Sequence, residues 1–122
     1  MARKHRIRLK RVYDEPAKED GVRVLIDRIW PRGVRKDEAA LDEWLKEVAP
    51  STELRKWFGH SPERWPEFRK RYEAELKKNQ EAFDRLVDLC RKSDVTLLYA
   101  ARDDAHNNAV VLKELIEREL GG

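Results

Sequence analysis

The pattern of apolar and polar positions sets short, strand-like runs among longer helical stripes. Val22-Arg23-Val24-Leu25-Ile26 is apolar and rich in β-branched residues, which predicts a mostly buried strand. It ends at Asp27 and Arg28, and Ile29-Trp30-Pro31-Arg32-Gly33 then forces the backbone out of regular structure. Near the C-terminus Val95-Thr96-Leu97-Leu98-Tyr99-Ala100-Ala101 repeats the plan, with Arg102-Asp103-Asp104 and His106-Asn107 behind it. His5 to Tyr13 alternates basic and apolar residues, the period of an edge strand with one wet face. Its cations either guard that edge or form a strip for a polyanion.

Helical spacing fills the remainder. Asp37 is expected to cap a helix carrying Leu41, Trp44, Leu45 and Val48 on one face, with Pro50 as its stop. Ser51 caps a short helix from Thr52 to Phe58, and Gly59 ends it. Ser61-Pro62-Glu63 starts the next, whose stripe is Trp65, Phe68, Tyr72 and Leu76. Asn79-Gln80 breaks or bends it before a stripe of Phe83, Leu86, Val87 and Cys90. A last helix is predicted from about Ala105 to Leu120, with Asp104 as its cap. Trp44, Trp65 and Phe68 are expected to be largely buried.

Strands separated by helices predict an α/β fold of one domain, residues 1–122. The expected sheet is small and mixed, with three or four strands and helices packed on it. The central and C-terminal strands run parallel through a helical crossover. The first strand is left open in orientation, because the loop Asp14 to Gly21 is short enough for a hairpin.

Composition narrows the function classes. No apolar run approaches the ~20 residues of a membrane span, and the N-terminus leads into no signal-peptide core. A cytoplasmic protein without membrane association is therefore expected. One cysteine excludes an internal disulfide framework, and with three scattered histidines it gives no metal cage. Charged residues reach 42%, yet 27 basic against 24 acidic leaves only +3, too little by itself to imply nucleic-acid binding. High charge with only four Asn and Gln matches the composition of heat-adapted proteins.

The candidate chemistry lies where the two apolar strands end, since open α/β sheets bind ligands beyond the carboxyl ends of parallel strands. Asp27 and His106 are the candidate proton-moving residues. Arg28, Trp30, Arg32, Tyr99, Arg102 and Asn107 are the candidate ligand contacts, the arginines as planar forks for phosphate or carboxylate. The start of the last helix adds N–H groups that favour an anion. A structural arrangement accounts for the same residues: Asp27 paired with Arg102 or Arg28, Asn107 bonded to its own loop, Trp30 over the core. Arg55, Trp57 and His60 form a second cluster able to fold over the site as a wall. No Walker loop, dinucleotide turn, G-x-S-x-G elbow or metal-binding histidine pair is present, and nothing demands a cofactor.

Val24 to Gly33, Ala49-Pro50-Ser51-Thr52-Glu53-Leu54-Arg55-Lys56, Trp57-Phe58-Gly59-His60 and Leu97 to Asp103 together resemble the YeaO-like family of small prokaryotic proteins, domain of unknown function 488. The resemblance covers nearly the whole chain and implies a compact, cytosolic α/β protein, with no activity attached. Longer relatives carry cysteines at the place of Tyr99 and in a Cys-His-Arg run where this chain has Ala105-His106-Asn107. A cysteine or metal role therefore does not transfer, while the histidine does. The leading expectation is an enzyme-like pocket for a small anionic ligand, phosphorylated or nucleotide-like. The alternative is a nucleic-acid-binding or regulatory module using the basic first strand. Oligomeric state is left open.

Overall fold

The computed structural model describes residues 5–59 and 61–121. Four strands, β1 (Ile7–Arg11), β2 (Val22–Leu25), β3 (Glu43–Trp44) and β4 (Val95–Tyr99), form one sheet in the order β1-β4-β2-β3. β4 is buried at all five positions, which explains its nearly unbroken apolar sequence. The α/β class and the parallel pairing of β2 with β4 are as expected. Where a mixed sheet was predicted, β1 also runs parallel, beside β4 instead of in a hairpin with β2. All four strands share one direction.

The loop behind β1 explains the difference. It crosses the sheet instead of turning tightly, and Thr96 Oγ1 donates to the Asp20 carbonyl at 2.7 Å. Gly21 then re-enters the sheet at φ 63°, ψ −133°, a region reserved for glycine. Val22 N donates to Asp94 O at 2.9 Å, so the two backbones touch there. A Cβ on Gly21 would stand 2.3 Å from that carbonyl oxygen.

The helices are α1 (Lys36–Ala39), α2 (Thr52–Phe58), α3 (Trp65–Lys78), α4 (Gln80–Lys92) and α5 (Asn108–Glu119). The long helix expected after Asp37 does not form. α1 ends after one turn with Ala40 at φ 49°, and the chain then joins the open edge of β2. Asp42 N donates to Arg23 O and Leu45 N to Leu25 O, both at 2.9 Å. Edge pairing satisfies these N–H groups and sends Trp44 and Leu45 into different apolar clusters, so tertiary context overrides the helical spacing. α2 follows its signals: Leu54 N donates to Ser51 Oγ at 3.1 Å, and Gly59 closes it in the left-handed region. Asn79 separates α3 from α4, as its position predicted. α5 starts later than expected, and Asn107 caps it in place of Asp104.

The two faces of the sheet are covered differently. Val24, Ile26, Val95, Leu97 and Tyr99 join the main core with residues of α2 to α5. Leu25 and Leu98, on the other face, lie under Trp30, Val34 and Leu41 from the segment between β2 and β3 and under Trp44 of β3. Beside them sits a polar group: Asp20 and Arg23, 3% and 4% exposed, with Lys10 joining at 3.2 Å. Arg11 donates Nε and Nη2 to the Ala101 and Ala100 carbonyls, so two cations of the basic first strand are spent inside the molecule. Among the described residues no helix is long and apolar enough to cross a membrane.

Cys90 is 1% exposed within the main core, and burial pushes its thiol up to about 12. Because the thiolate is the reactive form, native protein at pH 8 should resist thiol reagents and react fully in urea. Rapid stoichiometric labelling without denaturant would contradict this packing.

Candidate functional site

Beyond the carboxyl ends of β2 and β4 lies a cleft of about 430 Å³. The two strands are hydrogen-bonded neighbours, so the segments behind Leu25 and Tyr99 emerge side by side. The cleft brings together Asp27, Arg28, Trp30, Arg32, His106 and Asn107, six of the eight candidates named from sequence. Tyr99 is 4% exposed and belongs to the core instead. Arg102 is exposed and does not line the cleft.

Asp27 is half-buried at the floor, and its carboxylate is held by two donors. Ala100 N donates to Oδ2 at 2.9 Å and Asn108 Nδ2 to Oδ1 at 3.0 Å. The expected ion pair with Arg102 is replaced by this backbone contact, since the parallel register sets Asp27 beside Ala100 before Arg102 is reached. Burial pushes the Asp27 carboxyl above its ordinary range, and the bonds from Asn108 and Ala100 and the charge of Arg55 only partly offset it. A raised native value means that Asp27 favours the folded state most at acid pH, a contribution lost as pH rises through that value.

Arg28 donates Nε to Pro50 O and Nη2 to Ala49 O, both at 3.2 Å. It thereby ties the start of α2 to the end of β2 while adding charge to the cleft. Trp30 donates Nε1 to Val34 O at 2.7 Å and meets Trp44 edge-on at 5.4 Å, covering the sheet as the structural alternative foresaw. Arg32 is exposed at the rim.

Asp103 folds the next turn. Its Oδ1 accepts from Ala105 N at 2.9 Å and His106 N at 3.0 Å, and its Oδ2 lies 2.9 Å from His106 Nδ1. The backbone bond from Ala105 and the His106 ring hold the Asp103 carboxyl below its ordinary range. With Nδ1 engaged by a carboxylate, Nε2 is the nitrogen left for the cleft. Trp65 fixes the ring from the side, 5.2 Å away at 85°. Asn107 is spent on structure: Nδ2 donates to Asp103 O at 2.8 Å, and Oδ1 accepts from Val110 N at 3.1 Å.

Further lining residues come from places where sequence gave a weaker signal. Arg55 and Lys56 of α2 reach the cleft, so the wall proposed around Arg55 forms in part. Trp57 instead carries Arg71 at 4.2 Å and Arg64 at 5.4 Å over its ring. His60 lies outside the described residues. Phe58 and Phe68, read from their spacing only as core, also line the cleft. Asn108 is legible only as the second member of an Asn-Asn pair at a helix start.

Comparison with known proteins adds kinship. A family model described as "Inactive DUF488-N3 subclade" matches residues 6–121. The chain is 47% identical over 108 residues to "Uncharacterized protein YeaO" of Escherichia coli (strain K12), covering 88% of this chain and 94% of that one. It is also 47% identical over 116 residues to "Uncharacterized protein Mb3100c" of Mycobacterium bovis, covering 95% and 98%. The same figures hold for "Uncharacterized protein Rv3073c" of Mycobacterium tuberculosis. No solved structure gives a significant match. The family match and the full-length relatives agree with the resemblance in the strand-end motifs: the chain belongs to the YeaO-like DUF488 family.

Proposed function

We propose that the cleft binds a small anionic ligand, with binding rather than turnover as its task. The observation that carries this reading is charge: Arg28, Arg32, Arg55 and Lys56 line the cleft, against Asp27 as the one lining carboxylate among the described residues. Arg32, Arg55 and Lys56 are exposed, so their heads are available to a ligand. The start of α5, where Asn107 and Asn108 line the same cleft, adds the positive end of a helix dipole. The description of the matching family as inactive supports binding without chemistry. Asp27 and the Asp103–His106 pair then orient polar groups of the ligand.

The test is thermal denaturation in phosphate, matched in ionic strength with chloride. Phosphate at about 100 times its Kd should stabilise the native chain by roughly 2.7 kcal/mol. That gain should shrink in Arg32→Ala and Arg55→Ala and persist in Arg102→Ala, whose side chain lies outside the cleft. Equal shifts in all four proteins would reduce the effect to generic salt action and sink the anion site.

A further inference from the structure

The cations around the cleft account for an anionic group and for nothing else. The floor is unlike the rim. It holds the half-buried Asp27 carboxylate, and such a group asks for donors. Asp27 has roughly four acceptor positions on its two oxygens. Two are taken, one by Ala100 N and one by Asn108 Nδ2. The bond from Asn108 and the backbone anchor just past the end of β4 fix the plane of the carboxylate. Each oxygen therefore keeps one acceptor position for a further donor.

The same cleft also has apolar lining. Ile29, Trp30, Phe58 and Phe68 all contribute. Ile29 is 57% exposed, a large apolar side chain left open to water at the cleft. An exposed isoleucine beside a tryptophan suits the face of a planar ring, where stacking and apolar contact need no hydrogen-bond readout. The volume of about 430 Å³ suits a molecule of mononucleotide size.

We infer that the ligand is a guanine-type nucleotide, its ring edge donating two adjacent N–H groups to Asp27 and its phosphate lying among Arg32, Arg55 and Lys56. This rests on the anion-cleft reading above and adds the ring to it. Guanine offers N1–H and the 2-amino group side by side, a bidentate match to a carboxylate. Adenine offers an acceptor, N1, where guanine has a donor, so it turns a lone pair toward the carboxylate. Partial burial of Asp27 sharpens the choice, because an unmatched charge is penalised more heavily the less water reaches it.

Calorimetric titrations with GMP, AMP, guanosine, adenosine and inorganic phosphate separate the two claims. GMP should bind at least tenfold more tightly than AMP, and guanosine more tightly than adenosine. In Asp27→Asn the preference should fall to less than about threefold while the response to phosphate remains. The comparison of GMP with AMP on the wild type stands even where that variant fails to fold. Equal binding of GMP and AMP, with phosphate still bound, would overturn the ring assignment and leave the anion site intact. Guanosine bound in preference to adenosine, without any response to phosphate, would keep the ring and remove the anion site. Failure of all five ligands to bind would overturn both. A trinucleotide with guanine in mid-strand covers the other source of this ring; binding tighter than GMP would overturn the mononucleotide assignment.

Discussion

Asp20→Ala is expected to destabilise the native chain by about 3–5 kcal/mol, the usual loss when one member of a buried ion pair is removed. Asp20 and Arg23 are 3% and 4% exposed and bonded to each other, so the variant would leave a guanidinium in the interior without its counter-charge. The damage should spread beyond the pair. Arg23 Nε and Nη2 donate to the Ala40 and Ala39 carbonyls at 3.1 and 2.9 Å, which holds down the end of α1. That clamp fixes the segment between β2 and β3, and the same segment supplies Trp30 and Arg32 to the cleft. Urea titration measures the loss. A double variant, Asp20→Ala with Arg23→Met, should recover part of it, because the stranded charge is then gone. A loss below about 1 kcal/mol in the single variant would mean that water and the Ala39 and Ala40 carbonyls satisfy Arg23 without Asp20.

The pH dependence of this pair has a defined sign. Burial raises the Asp20 carboxyl, but the bonds from Ala17 N, Lys10 and Arg23 outweigh it, and the net position is below the ordinary value. Such a group stabilises the fold at pH above its unfolded value, about 3.9. Its contribution fades as pH falls through the lower native value. Acid unfolding of the wild type should therefore be steepest below about pH 4, and Asp20→Ala should flatten that part of the curve.

The residues at the strand ends were legible in the sequence and the other walls of the cleft were not, for a physical reason. Strand ends are local features: β-branched runs followed by Pro31-Gly33 or by a helix cap are visible without knowing the neighbours. That is why Asp27, Arg32 and His106 come together as read. The long-range pairings were less visible. The stretch from Asp37 to Val48 carries helical spacing, but the vacant edge of β2 offered its N–H groups better partners and took it as β3. Nor does spacing distinguish a hairpin from a crossing loop. The ladder between β1 and β4, closed at its ends by Val95 N to Arg6 O and Val12 N to Tyr99 O, decides that β1 lies beside β4. Arg102 was misplaced by two residues of register: the chain turns away after Ala100, whose N–H is held by Asp27. Asn107 illustrates a different limit. A polar residue at a site and a helix cap look alike in sequence, and its amide proves to be the cap.

Phe68→Ala should also cost about 3–5 kcal/mol, the range for truncating a fully packed phenylalanine. Phe68 is 2% exposed and stands at the centre of an aromatic group. It stacks on Phe58 at 4.5 Å, on Trp65 at 5.6 Å and against Tyr72 at 5.7 Å, joining α2 to α3. Trp44 and Trp65, expected to be buried to the same degree, are only partly so, because each lies at the border of its cluster. Truncating Phe68 leaves a cavity that three rigid rings cannot collapse into, which places the cost toward the upper end. The same side chain lines the cleft, so ligand affinity should fall as well as stability. The two effects separate by comparing Phe68→Leu with Phe68→Ala. Leucine restores most of the volume and should recover more than half of the stability in urea titration, while lacking the aromatic ring at the cleft. A loss below about 1 kcal/mol for Phe68→Ala would show that α2 and α3 are held together without the aromatic stack, and the floor of the cleft would then need another support.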